Sequence, residues 1–299
     1  MTAEQEATSQ PARGYGLVIG AASTWATLGL FYKVLSGTYG LAPLTVVTFR
    51  AGLAFLLLLA ALGLGRRAWL RIDWRDLPFF ALFGLVGVAV FYIVYAYAIN
   101  LAGMAVAAVL LYTAPAWVVV LSWRLFAERV ERRKIVALLL TLTGCFLIVG
   151  AYNLAQVRLN LAGIVLSLAS GLTYGLYIIF NKYALRKYSP WTVLVYAIGI
   201  GSGLLLFTQS PATLASALAS PAQIGWLLAM AIVPTRGGNL LFVSGLRHLP
   251  AGVASIVATL EPVMAALLAF LVLGERLQPP QLLGGAMVVG AVVLIYRLK

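Results

Sequence analysis

Two stretches of this chain repeat each other, and the repeat limits the possible folds more than any other feature. Residues 101–138 read LAGMAVAAVLLYTAPAWVVVLSWRLFAERVERRKIVAL, and residues 248–285 read HLPAGVASIVATLEPVMAALLAFLVLGERLQPPQLLGG. Pro115 matches Pro262 and Glu128-Arg129 matches Glu275-Arg276; 262 − 115 and 275 − 128 are both 147. The same offset carried upstream pairs Pro43-Leu44-Thr45-Val46 with Pro190-Trp191-Thr192-Val193. The chain is therefore a duplication.

Each copy is too apolar for water. Hydrophobic residues make up 63% of the chain and charged residues 10%, against roughly 45–50% and about 25% in soluble domains. Ten runs approach the roughly 20 apolar residues that span a bilayer: 15–35, 44–64, 77–99, 104–126, 133–151, 160–181, 190–208, 222–246, 251–273 and 280–297. They predict an all-α membrane protein of ten transmembrane helices. Residues 1–14 read as a polar amino-terminal tail, 15–151 as the first five-helix repeat and 160–299 as the second. No cleavage site follows the run from Tyr15, so it is expected to stay as the first helix.

Five helices per copy is an odd number, so the second copy enters the membrane from the opposite side, an inverted repeat typical of secondary transporters. Basic residues predict the orientation. With the amino terminus inside, the inner segments hold Arg13, Arg66, Arg67, Arg71, Arg75, Arg124, Arg129, Arg132, Arg133, Lys134, Lys182, Arg186, Lys187, Arg247, Arg297 and Lys299. The outer segments hold only Lys33, Arg158 and Arg276. Both termini are thus expected in the cytoplasm of a cell (inner) membrane. The net charge of +13 reports this topology; no nucleic-acid-binding pattern accompanies it. The single Cys145 allows no intramolecular disulfide.

The run Leu260-Glu261-Pro262-Val263, with Leu273-Gly274-Glu275-Arg276-Leu277 and Leu283-Gly284-Gly285, closely resembles the EamA-type repeat of the drug/metabolite transporter superfamily. The first copy departs from it, with Ala114 in place of Glu261 and Ala127 in place of Gly274. Overall the chain looks most like YddG-type exporters of aromatic and other neutral amino acids. That resemblance implies a cavity between the copies, walled by helices one, three, four, six, eight and nine, with five and ten peripheral.

Arg236 and Glu261 are charges within predicted spans, where ionisable groups are costly and usually face a cavity or a partner. Both lie about 15 Å deep at 1.5 Å per residue, on adjacent antiparallel helices, which predicts that they pair. Arg236 is a candidate for a substrate carboxylate; Glu261 suits a proton or an ammonium. Arg50 lies about 9 Å into helix two and is expected to snorkel to the outer surface. Pro115 and Pro262 are candidate hinges, since proline removes a helix hydrogen bond. Polar-tipped aromatics supply the expected cavity wall: Trp25, Tyr92, Tyr95, Tyr112, Trp117, Tyr174 and Tyr177, together with Asn239, the repeat mate of Tyr92. Trp69, Trp74 and Trp226 sit near helix ends as interface anchors.

These features point to alternating access and to a small-molecule substrate moved across a lipid bilayer, with no cofactor and no metal site. A drug or other metabolite exporter is the alternative. A polytopic enzyme would need a nucleophile, base or metal site, and neither HExxH nor GxSxG occurs. A fixed channel would not need matched mid-helix prolines.

Overall fold

A computed structural model describes residues 3–153 and 160–297, with side chains described from residue 11 onward. Arg158 and Lys299 of the charge count lie outside the described residues. The described part is helical, with helices α1 (Pro11–Thr38), α2 (Pro43–Gly65), α3 (Trp74–Ala102), α4 (Met104–Phe126) and α5 (Arg132–Val149) in the first copy. The second holds α6 (Leu161–Ala184), α7 (Pro190–Leu206), α8 (Pro221–Leu246), α9 (Ala251–Leu273) and α10 (Pro279–Tyr296). The helix leading into α1 already starts at Ala3, so most of the polar tail continues α1.

Local chemistry sets the ends. Pro opens α2, α7, α8 and α10, where its missing N–H costs nothing. Ser189 and Ser220 accept from the amides of Thr192 and Gln223 at 3.2 Å each, satisfying first-turn donors. Tyr15 donates to the Ile295 carbonyl at 3.2 Å, and its ring meets Tyr296 at 5.1 Å. The start of α1 and the end of α10 therefore share one face, called here the terminal face. α5 and α10 lie side by side; a Cβ built on Gly144 would come 2.7 Å from the Gly284 carbonyl.

The regular helices carry repeat-related irregularities. α3 has a π-helical stretch from Gly84 and α8 has one from Ala231, one repeat apart. α4 and α9 are each broken in two. The first segments end at Leu111 and Ala258, and the break residues Tyr112 (φ −69, ψ 2) and Thr259 (φ −71, ψ 2) are repeat mates with the same backbone. The second segments then carry Pro115 and Pro262 in their first turns. The prolines lie beyond the break rather than at a mid-helix bend, because a proline ring clashes with the carbonyl four residues back, here Leu111 and Ala258. α6 crosses α4 at this break with Gly171, whose added Cβ would sit 2.6 Å from both the Leu110 carbonyl and Thr113 Oγ1. Only a glycine fits that crossing.

Candidate functional site

The breaks in α4 and α9 face each other across a narrow cavity of about 10 Å³. Its wall is Tyr112 and Pro115 of α4, Tyr174 and Ile178 of α6, and Thr259 and Glu261 of α9, with neighbours from the same helices. Glu261 is half-buried in this wall and accepts no hydrogen bond from the described residues. An aromatic row continues from the wall. Tyr174 stacks on Tyr177 (6.1 Å) and on Phe91 (5.4 Å), and Phe91 stacks on Tyr95 (6.1 Å).

Arg50 reaches this row, contrary to the expectation that it snorkels outward. It is 8% exposed, its Nη2 donates to Tyr92 Oη at 2.8 Å, and its guanidinium lies 5.0 Å from the Tyr92 ring centre. Its Nε is buried without a partner. The face of α2 that carries Arg50 points inward, so a hydroxyl and a π face replace water.

The expected pairing of Arg236 with Glu261 is absent. Four ion pairs within 4.0 Å occur among the described residues, and neither side chain is in them. Depth along a helix fixes height but not azimuth. At 100° per residue, two groups at one height can point to different sides. Arg236 sits in the π-helical stretch of α8, 5.7 Å from the Trp191 ring centre, with its Nε buried and unpartnered.

The other expected wall residues divide. Tyr112 and Tyr174 line the cavity, and Tyr92, Tyr95 and Tyr177 belong to the aromatic row. Trp25 and Asn239 are buried beside α1 and α8, where Trp25 packs on Phe242 at 5.2 Å. Trp117 is 38% exposed, is not in the cavity wall, and has its Cβ against Gly175 of α6.

One end of the cavity is sealed. Every residue from Ala251 to Leu260 is buried, as are Ala114, Pro115, Val118, Val119 and Ser122 of α4. These are the terminal-face halves of α9 and α4, and they pack on each other. The other halves are open: of residues 104–113 only Ala107 is buried, and of residues 261–273 only Pro262. Glu128, just past the end of α4, closes the seal. Its Oε1 accepts from the Ala251 amide at 2.6 Å and its Oε2 from the Gly252 amide at 3.2 Å. Lys134 Nζ stands 3.7 Å from the same carboxylate. These are the first amides of α9, which lack intrahelical acceptors and sit at the positive end of the helix dipole. Lys182 of α6 donates to the carbonyls of Leu246 and Leu249 at 2.9 and 2.7 Å, tying the preceding turn down.

Comparison with known proteins settles the family. The model of the EamA-like transporter family matches residues 12–150 and again 161–297. The chain belongs to the EamA-like transporter family. An uncharacterized transporter of Archaeoglobus fulgidus is 35% identical over 71% of this chain and 76% of its own length. A probable terminal-alkyne amino-acid exporter of Streptantibioticus cattleyicolor is 27% identical over 92% of this chain and 90% of its own. An uncharacterized inner membrane transporter of Salmonella typhimurium, YicL, is 24% identical over 74% of this chain and 73% of its own. A solved crystal structure with 19% identity superposes over 98% of this chain and 99% of its own, with a TM-score of 0.79. This EamA-like chain is thus a multi-pass membrane transporter, not an enzyme, with two inverted five-helix repeats.

Sequence reasoning missed Arg50 as an interior residue and Glu128 as a seal. A signal for Glu128 was available: it and Glu275 were the repeat's only shared acidic pair, placed one helix from a helix start.

Proposed function

We propose that this transporter exports small amphipathic metabolites, aromatic and other neutral amino acids foremost, by alternating access. In this reading the terminal face is the cytoplasmic face of the cell (inner) membrane. The excess of basic residues on that face supports the orientation, as does the inner-membrane name of the Salmonella relative. The structure then represents the form open to the outside, and Tyr112 with Pro115 and Thr259 with Pro262 are the hinges of the gates.

The observation that carries the substrate reading is a pair of opposite charges with no ion pair, Glu261 in the cavity wall and Arg50 on Tyr92 in the aromatic row that continues from it. Arg50 holds the substrate carboxylate through charge-assisted hydrogen bonds. Glu261 takes the ammonium. Tyr92, Tyr95, Tyr112, Tyr174 and Tyr177 pack the side chain, and their flat faces suit aromatic substrates. Arg236, Trp25 and Asn239 line the route that opens toward the cytoplasm. The relative from Streptantibioticus is named for amino-acid export, which agrees with this substrate class. A cationic drug would use Glu261 and the rings but would be repelled by Arg50, so the buried arginine favours the amino acid.

Counterflow in proteoliposomes tests the reading. Phenylalanine is expected to exchange, whereas phenethylamine and hydrocinnamate, each lacking one charge, are expected to exchange at least tenfold more slowly. Glu261→Gln and Arg50→Met should each lower phenylalanine exchange by a similar factor. Counterflow of quaternary amines without any amino acid would replace this reading with a drug exporter.

A further inference from the structure

The two glutamates that mark the repeat sit in turns built alike. The Glu128 amide donates to the Ser122 carbonyl at 3.3 Å, and the Glu275 amide donates to the Ala269 carbonyl at 3.3 Å; each acceptor is the other's repeat mate. The residue before each glutamate has a positive φ, 54° at Ala127 and 67° at Gly274. Their side chains do different things. Glu128 is seated on the amides of Ala251 and Gly252. Glu275 is exposed and only grazes exposed Lys33 at 4.0 Å.

The amides that Glu128 holds also have mates. Subtracting the offset of 147 from 251 and 252 gives Met104 and Ala105, the first residues of α4 after its own tight turn at Gly103. No described side chain accepts from those two amides, and Met104 is 64% exposed. The donors that would receive Glu275 therefore stand unoccupied on the open side of the molecule, while those that receive Glu128 are filled on the closed side.

We propose that Glu128 and Glu275 are the two latches of the transport cycle and engage in alternation. In the form seen here, Glu128 closes the terminal face by capping α9. In the opposite form, Glu128 lets go, and Glu275 leaves Lys33 to cap α4 at Met104 and Ala105, closing the other face. The inference rests on the alternating-access part of the proposed function and not on the substrate.

The latches are not equal. Beside Glu128 stands Lys134, and Lys182 secures the turn before α9. Their repeat mates are Gln281 and Leu35, which bring no charge. Gly252 also fits the seated carboxylate closely, since an added Cβ would lie 3.4 Å from Glu128 Oε2 and 3.3 Å from Val119. Its mate is Ala105. The terminal-face latch is thus the stronger one, and the form closed at that face is the resting form.

Cysteine labelling of the full chain in membrane vesicles of known sidedness tests the exchange, on a background carrying Cys145→Ala. Ser255→Cys reports on the terminal-face half of the cavity, where Ser255 is 2% exposed. Leu111→Cys reports on the open half. An impermeant maleimide applied at the terminal face is expected to react with Ser255→Cys about tenfold faster in Glu128→Ala than in the parent. That is the shift about 1.4 kcal/mol makes in a two-state equilibrium. Leu111→Cys should slow from the other face. Adding Glu275→Ala should return both rates at least halfway, because the competing form then loses its latch too. Glu128→Gln, which keeps the shape and removes the charge, should give a smaller shift of the same sign. If a folded Glu128→Ala protein leaves Ser255→Cys as protected as the parent, the terminal latch is wrong. If Glu275→Ala fails to counter Glu128→Ala, the exchange is wrong. Labelling needs no substrate, so rates that shift as expected in a protein showing no amino-acid counterflow would sink the substrate reading alone.

Discussion

The terminal and opposite faces come from the same sequence plan, yet only one is bound shut. At the terminal face, Lys187 bridges Asp73 and Asp76 at 3.2 and 2.7 Å. Thr192 and Tyr196 donate to the carbonyls of Trp69 and Leu70, both at 2.7 Å. Glu128 and Lys182 hold α9 and the turn before it. All of these bonds except the two from Lys182 join one repeat to the other. The opposite face has fewer such links, such as Thr45 to Gln209 at 2.9 Å and Tyr152 to Gln278 at 3.0 Å, and its glutamate is idle. The difference teaches that inverted repeats need equal backbones but not equal side chains. Shared turns and breaks let either face close. The unshared charges decide which face is closed at rest.

The most damaging way to break that comparison is to truncate its two glutamates. A hydrogen bond to a charged group contributes about 1.5–3 kcal/mol, and Glu128 accepts two from the start of a helix. An exposed ion pair such as that of Glu275 contributes about 0–1 kcal/mol. Glu128→Ala is therefore expected to lower the thermal unfolding midpoint in detergent by several degrees, and Glu275→Ala to leave it within about a degree. Equal losses would mean that the seal seen here is not what separates the faces.

Much of this was legible in the sequence because duplication and apolar length are carried by many residues at once. Apolar runs located the helices, their odd number per copy gave the inversion, and the 147-residue offset paired the prolines; the structure has its breaks at repeat mates. Single side chains were less legible. Arg50 was placed by depth alone, and the inward face of α2 reversed its direction. Arg236 and Glu261 were placed at one height by residue count, yet they form no ion pair. Trp117 follows an aromatic-rich pattern yet is 38% exposed and not in the cavity wall. The azimuth of a helix is set by packing against other helices, and an all-apolar segment gives it no polar stripe to read.

A smaller effect comes from the turn that precedes each glutamate. Ala127 holds a left-handed φ of 54°, where Gly274 stands in the second copy at 67°. An L residue in that region costs about 1–2 kcal/mol, while glycine returns about 0.4–1 kcal/mol to the unfolded chain. Ala127→Gly is expected to raise stability by up to about 1 kcal/mol, and Gly274→Ala to lower it by a similar amount. Urea or thermal unfolding of both variants checks this. Opposite signs show that the two turns share one backbone; the same sign in both would show that they do not.

The smallest effect separates the faces by pH. His248 lies in the turn before α9, at the terminal face, and its repeat mate is Leu101. Burial, and then the positive charges of Arg13, Arg247 and Lys182, hold its pKa below the usual 6.5. The folded protein thus binds a proton there less readily than the unfolded chain does. By linkage, the stabilising contribution is complete above pH 6.5 and is lost as pH falls through the folded value. Protonation adds a fourth positive charge to Arg13, Arg247 and Lys182 beside the turn that Lys182 ties down, and it does so only at this face. Normalised to a freely exposed cysteine labelled at the same pH, because only the thiolate reacts, terminal-face labelling of Ser255→Cys is therefore expected to rise modestly between pH 7.5 and 5.5, by less than the Glu128→Ala effect, and the links of the opposite face are expected to be spared. His248→Gln should remove this dependence and keep the normalised rate at its pH 7.5 value throughout. A dependence of the same size in His248→Gln would assign it to another group and leave the asymmetry of the faces to Glu128, Lys134 and Lys182.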